Sequence, residues 1–340
     1  YRIICTMLAS ILLGSLMIIV FTGENPLDAY RAMIVGALGS PLNIGTTLVT
    51  WTTLLLAGCG FAVAAKTGCF NIGVEGTVFV GAIATAIVGV YVGNLPRGLA
   101  IFVCLAAGVI AGMLWSLIPA VLFAVWNINM ICVCTMLNMV ALYMTEFVVQ
   151  ETKYRAVATI AKTVDVQVRL TKVMLPSRLT TGVFIAIAAV VIVIFAMRRL
   201  AFGTKATIVG QNIAFANYAG MQPKKVRINA MLIAGALCGL AGAIEIIGNY
   251  GYFQMDFATG YGNRGLLAAM IVNCDVFWVP LSAFFVSVIS SGSIYLQQVT
   301  NVPRFLADTL TTIFIILAAM PDLFQFTRRS KVGGAKRRTL

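Results

Sequence analysis

Long apolar runs follow one another along the chain, separated by short polar stretches. They lie near 4–21, 46–65, 77–92, 99–124, 131–149, 181–197, 227–248, 276–294 and 305–320, with a shorter run at 265–273 that extends at its ends. A helix crosses a bilayer with about 20 apolar residues, so the pattern predicts about ten membrane-spanning helices. The expected fold is an all-α polytopic membrane protein, residues 1–340 forming one transmembrane domain. The first run, Ile4 to Phe21, reads as a retained span, because no secretory cleavage site accompanies it.

Two glycine-rich interruptions occupy corresponding places. Lys66–Gly76 contains Phe70-Asn71-Ile72-Gly73-Val74-Glu75-Gly76, and Gly248–Gly265 contains Thr259-Gly260-Tyr261-Gly262-Asn263-Arg264-Gly265. Irregular backbone at membrane depth survives only where protein buries it or a watery cavity runs past it. An ionisable group such as Glu75 is costly there and marks a functional question. Each interruption falls after the first span of a group of four, about 46–149 and 227–320, and counting spans sets the groups in opposite orientations. Broken helices near 66–76 and 249–265 therefore predict two inverted four-helix repeats with a solute path between them. The alternative is two unrelated loops. Two small-residue pairs, Gly108 with Gly112 and Gly235 with Gly239, predict close helix packing and nothing more specific.

Composition sharpens the membrane reading. The chain is 60% hydrophobic and only 10% charged, against roughly 25% charged in soluble domains. Its net charge of +13 reads as topology and contact with anionic lipid, not nucleic-acid binding. Residues 198–227 carry Arg198, Arg199, Lys205, Lys224, Lys225 and Arg227 with no acid, and the tail 322–340 is also basic. Both belong in the cytoplasm by the positive-inside rule, which puts both termini there. The loop 150–180 argues back, with six basic residues and two acids on the outer side. Histidine is absent, which removes imidazole metal sites and His-based triads, and the eight cysteines lie mostly in apolar runs as structural thiols.

Within the basic loop, Asn212 to Gly220 reads as a short helix. Asn212 caps its start, Gly220 closes it in the left-handed conformation and Pro223 stops it. Its apolar residues Phe215, Tyr218 and Ala219 must bury against the bundle, the lipid surface or a cytoplasmic partner. No phosphate-binding Gly-x-x-x-x-Gly-Lys-Ser/Thr motif occurs, so an ATP-driven pump would borrow its ATPase.

Phe70–Gly76 resembles the FNIGxEGQ signature of permease subunits of ATP-binding-cassette importers, in the nucleoside branch related to ribose and branched-chain amino-acid permeases. Asn129–Asn138 is similar to that branch's NEVIxTxMLN segment. Phe202-Gly203, Gly210-Gln211-Asn212 and Tyr218-Ala219-Gly220 resemble its coupling loop, and Gly239–Ala243 with Glu245 and Gly260–Gly262 resemble its second half. The matches run in order from about 46 to 320. Departures are Thr77 for Gln, Met130 for Glu, Thr207 for Arg and Asn263-Arg264 for Phe-Asp. The resemblance implies a bacterial inner-membrane importer for nucleosides such as guanosine. It would contain a second permease subunit, alike or paralogous, and an external substrate-binding protein met by loops 22–45 and 150–180. A cytoplasmic ATPase would carry ATP and Mg, with no cofactor on this chain. The coupling loop 198–226, with Gly203, Gly210, Asn212, Phe215, Tyr218, Ala219 and Gly220, would sit on that ATPase.

Asn71 and Glu75 are the first candidates to line the path; otherwise they support the helix break, Glu75 capping amides or pairing with Lys66. Glu245 holds a similar place toward the outer part of its span. Asn138 reads first as an interhelical hydrogen bond and second as a substrate contact. Phe70, Trp51 and Tyr261 would stack on a base, or else pack and anchor. Asn263 completes the path set. Asp275 and Asp308 read as structural residues at span ends, and Asp256 has no assigned role. Rival readings are a ribose or other sugar permease and an ion-coupled secondary transporter using Glu75, Glu245 and Asp275. An intramembrane enzyme is excluded by the lack of a triad, a nucleophile motif or paired carboxylates.

Overall fold

A computed structural model describes residues 14–20, 25–156, 161–255, 257 and 260–299, with isolated positions 12, 309, 312 and 313. Most of the expected spans at 4–21 and 305–320, the tail 322–340, and Asp256 and Asp308 lie outside the described residues.

The described chain is helical, with isolated bridges and no strand. Its helices are α1 (Pro26–Leu38), α2 (Pro41–Ala65), α3 (Val74–Tyr91), α4 (Arg97–Trp126), α5 (Met130–Glu151), α6 (Gly182–Arg199), α7 (Ala201–Gln211), α8 (Ile213–Tyr218), α9 (Pro223–Ile244), α10 (Tyr261–Ile271) and α11 (Val279–Val299). A π-helical turn, Glu245–Tyr250, extends α9. The starts obey local chemistry. Ser40 caps α2 with Pro41 in its first turn, and Asn129 caps α5.

Seven of these helices are long and apolar enough to cross a membrane: α2 to α6, α9 with its π-turn, and α11. The chain is a multi-pass membrane protein. Each of the seven coincides with an expected run, usually a turn longer. The run at 265–273 differs, because α10 has only eleven residues. At 1.5 Å per residue it covers about 16 Å, roughly half of the hydrocarbon core. The crossing is made in two parts. At one face of the bundle the Val166 N–H donates to the Gly251 carbonyl (2.7 Å). At the other, the Arg198 guanidinium lies 3.8 Å from the centre of the Phe277 ring. The described residues between 251 and 277 thus pass from one face to the other, Tyr261–Ile271 as a short helix.

Helices α2, α3 and α9 form the interior, while α4, α5 and α6 leave most of their surface outward. The two small-residue pairs pack on each other: a Cβ on Gly112 would fall 2.3 Å from the Gly235 carbonyl oxygen, and one on Gly239 would fall 2.2 Å from that of Gly108. Any side chain there would drive α4 from α9. The loop bearing α7 and α8 sits on the Arg198 face. Residues 161–181 close the opposite face over the end of α9.

Candidate functional site: where two helix breaks meet

The first break enters from the α7 face. Gly68 takes a left-handed conformation (φ 77°), and a Cβ on Gly210 of α7 would meet the Lys66 carbonyl oxygen at 2.1 Å. The break's own backbone is then satisfied by amides. The Gly73 N–H donates to Asn71 Oδ1 (2.9 Å), the Gly76 N–H donates to Asn138 Oδ1 (2.9 Å), and Asn138 Nδ2 donates to the Ile72 carbonyl (3.0 Å). Thr77 donates back to the Gly73 carbonyl (2.8 Å). Asn138 is therefore the interhelical bond expected of it, and Asn71 supports the break, although its Nδ2 is buried without a partner.

The second break enters from the opposite face. The π-turn ends at Gly251 (φ 76°), and its surroundings pair with the 161–170 segment: Leu170 N–H to the Ile247 carbonyl (2.9 Å), Thr163 N–H to the Phe253 carbonyl (2.8 Å) and Phe253 N–H to Thr163 Oγ1 (3.0 Å). Phe79, Phe253, Phe257 and Tyr250 stack edge to face around it, with ring centres 5.1 to 6.4 Å apart.

The breaks meet at Glu75. The Gly260 N–H donates to Glu75 Oε1 (2.8 Å), at the left-handed residue (φ 84°) that opens α10. A Cβ on Gly262 would lie 2.5 Å from Glu75 Cα, so α10 rests on the Glu75 backbone. Glu75 does cap backbone amides, but those of the other break, and it makes no pair with Lys66. Its Oε2 is buried with no partner. Asn263, one residue past this contact, is exposed.

Glu245 lies apart, fully buried at the start of the π-turn. Thr53 of α2 donates to its Oε1 and Asn249 Nδ2 to its Oε2 (3.1 Å). Tyr261 joins the two carboxylate groups: it follows Gly260 in sequence and its hydroxyl pairs with Thr50, one turn from Thr53. Trp51 faces elsewhere, donating to the Pro280 carbonyl (2.9 Å) and meeting Phe284 edge to face, and Phe70 packs edge-on against Phe61. Both make the packing contacts named as the alternative for them. Asp275 accepts from the Phe277 N–H (3.2 Å) at the start of α11, the structural place expected of it. Thr53, Asn249 and the phenylalanine cluster escape a sequence reading, since a threonine or phenylalanine in an apolar run carries no signal of its own.

The coupling segment has two helices where one was expected. Asn212 caps α8 through the Phe215 N–H (2.9 Å) and Gly220 closes it with φ 72°. Pro223 begins α9 rather than merely ending what precedes it. Only Ala216 of α8 is buried. Phe215 and Tyr218 are 57% and 92% exposed, and Ala219 is exposed too, so of the three alternatives for them packing on the bundle does not occur, which leaves the lipid surface or a cytoplasmic partner. Gly203 fits against the end of α6, where a Cβ would strike the Met197 carbonyl.

A membrane bundle with two breaks entering from opposite faces is the architecture of a transport component. The family described as branched-chain amino acid transport system / permease component matches residues 43–319. The chain belongs to this family. As a permease component it is a non-catalytic membrane part of a transport system. It is 30% identical to the guanosine ABC transporter permease protein NupP of Bacillus subtilis, over 94% of each chain. It is 28% identical to the nucleoside permease protein NupB of Lactococcus lactis subsp. cremoris, over 92% of this chain and 89% of that one. With the glucose permease protein TsgB13 of Haloferax volcanii it shares 29% identity, over 97% of this chain and 89% of that one. No solved structure gives a significant match.

Proposed function

We propose that this permease moves purine ribonucleosides such as guanosine inward, as the membrane subunit of an ATP-binding-cassette importer in a bacterial inner membrane. The observation that carries the proposal is the meeting of the two breaks at Glu75, in a chain similar along nearly its whole length to a guanosine permease. One Glu75 oxygen holds α10; the other is left for hydroxyl or N–H donors of the solute. Glu245 and Tyr261 lie along the same path, with Asn71 and Asn138 setting its walls. The entry of the breaks from opposite faces is what two inverted repeats would produce.

The exposed Phe215 and Tyr218 on α8 dock a cytoplasmic ATPase that carries the ATP and Mg. Gly210, against the Lys66 carbonyl, passes movement of that loop to the first break. A second permease subunit and an external binding protein complete the importer, with both termini in the cytoplasm. The similarity to a glucose permease favours one second reading, a sugar importer.

The test is uptake of labelled guanosine into proteoliposomes holding the chain with its co-purified partners and binding protein. Uptake that needs lumenal ATP and withstands excess glucose or ribose is expected. Competition by sugar moves the substrate to sugars, and uptake driven by an ion gradient without ATP overturns the importer reading.

A further inference from the structure

On the face opposite α7 and α8, the 161–181 segment and the end of the α9 extension enclose a cavity of about 260 Å³. Small-molecule clefts run from about 300 Å³ upward, so this cavity is slightly smaller and a ligand in it stays partly in solution. Arg169, Lys172 and Arg178 line it together with Asn249, Tyr250 and Tyr252, and no carboxylate does. All three cations are exposed, and among the described residues none has an ion-pair partner; the nearby Asp165 is taken by Lys162 at 3.1 Å. Three cations and no carboxylate around one cavity offer charge-assisted bonds to an anion.

The inner wall has a different chemistry. Asn249 spends its Nδ2 on Glu245, which leaves its Oδ1 buried and without a donor. Tyr252 carries the Lys162 ammonium 4.3 Å over its ring, and Tyr250 is tethered through its hydroxyl to the Phe257 carbonyl (3.4 Å), so both rings are held in place. A ligand that satisfies the whole lining has an anionic group for the cations, a planar ring for the tyrosines and an N–H for Asn249 Oδ1.

We infer that this cavity binds a purine nucleoside monophosphate. The phosphate sits among Arg169, Lys172 and Arg178, and the base lies against the tyrosines with a ring or exocyclic N–H on Asn249. The choice of a purine rests on the nucleoside reading above; the anion site does not.

The test is equilibrium binding of labelled guanosine 5′-monophosphate to the assembled permease–ATPase complex in lipid nanodiscs, with ADP saturating the ATPase. The combined Arg169→Gln, Lys172→Gln, Arg178→Gln variant is expected to bind at least about tenfold more weakly, the loss of charge-assisted bonds to a phosphate. Tyr252→Ala is expected to weaken binding too, and inorganic phosphate to compete far less well than the nucleotide. Unchanged affinity in the triple variant overturns the site. Phosphate competing as well as the nucleotide overturns its purine part. Unchanged nucleotide affinity together with lost capture of the binding protein assigns the cations to that partner and overturns the inference. A complex that binds the nucleotide yet imports no guanosine upholds the site and sinks only the nucleoside reading.

Discussion

The two helix breaks solve one problem by different means. Each frees backbone groups inside a bundle where unpaired polar groups are costly. In the first break the partners are side chains, Asn71, Thr77 and Asn138, the last reaching across from α5. In the second they are mostly backbone groups of the 161–170 segment, with Thr163 Oγ1 and Glu75 added. The first is therefore rigid in a way that single side chains control. The second depends on backbone pairing with a loop on the face opposite α7 and α8.

That contrast sets the order of expected effects. Asn138→Leu removes both bonds from the first break, leaving the Gly76 N–H and Ile72 carbonyl unpaired at about 1–3 kcal/mol each. Thermal unfolding in nanodiscs is expected to show the largest fall of the series. Asn138→Asp, which keeps only the acceptor, should recover part of it. Gly262→Ala, by contrast, pushes a methyl into the Glu75 backbone and forces the breaks apart, for about 1–3 kcal/mol by the same assay. Thr163→Val leaves the Thr163 N–H on the Phe253 carbonyl and unpairs only the Phe253 N–H, so about 1–3 kcal/mol is expected, one group against the two of Asn138→Leu. A loss from Thr163→Val as large as that from Asn138→Leu would erase the distinction between the breaks. At the bottom, Tyr218→Ala and Phe215→Ala should leave stability within about 0.5 kcal/mol, because neither side chain is buried. Co-purification of the ATPase should nevertheless fall.

The same contrast decides what was legible in the sequence. Seven crossings and the first break show plainly, because Asn71, Glu75 and Asn138 interrupt apolar runs and a polar residue there must have a partner. The cap at Asn212 and the left-handed Gly220 follow from local chemistry alone. The second break was visible only as glycines. Its partners lie some 80 to 185 residues away, in Val166, Thr163 and Glu75, and backbone pairing carries no residue signature. Trp51 and Phe70 were ambiguous for the matching reason: an aromatic ring packs as readily as it stacks. A helix as short as α10 also escapes a reading that looks for full-length spans.

Glu75 is where the two breaks and the proposed path coincide. Glu75→Gln keeps an oxygen for the α10 amides of Gly260 and Asn263 and replaces the other oxygen by an amide nitrogen. Within the full complex, unfolding temperature and ATP-driven guanosine uptake would be measured side by side, with Glu75→Ala as the variant that also loses the contact. Glu75→Gln is expected to unfold like the parent while uptake drops at least about tenfold. Parental uptake by Glu75→Gln at parental stability would contradict this, leaving Glu75 as a brace between the breaks and nothing more.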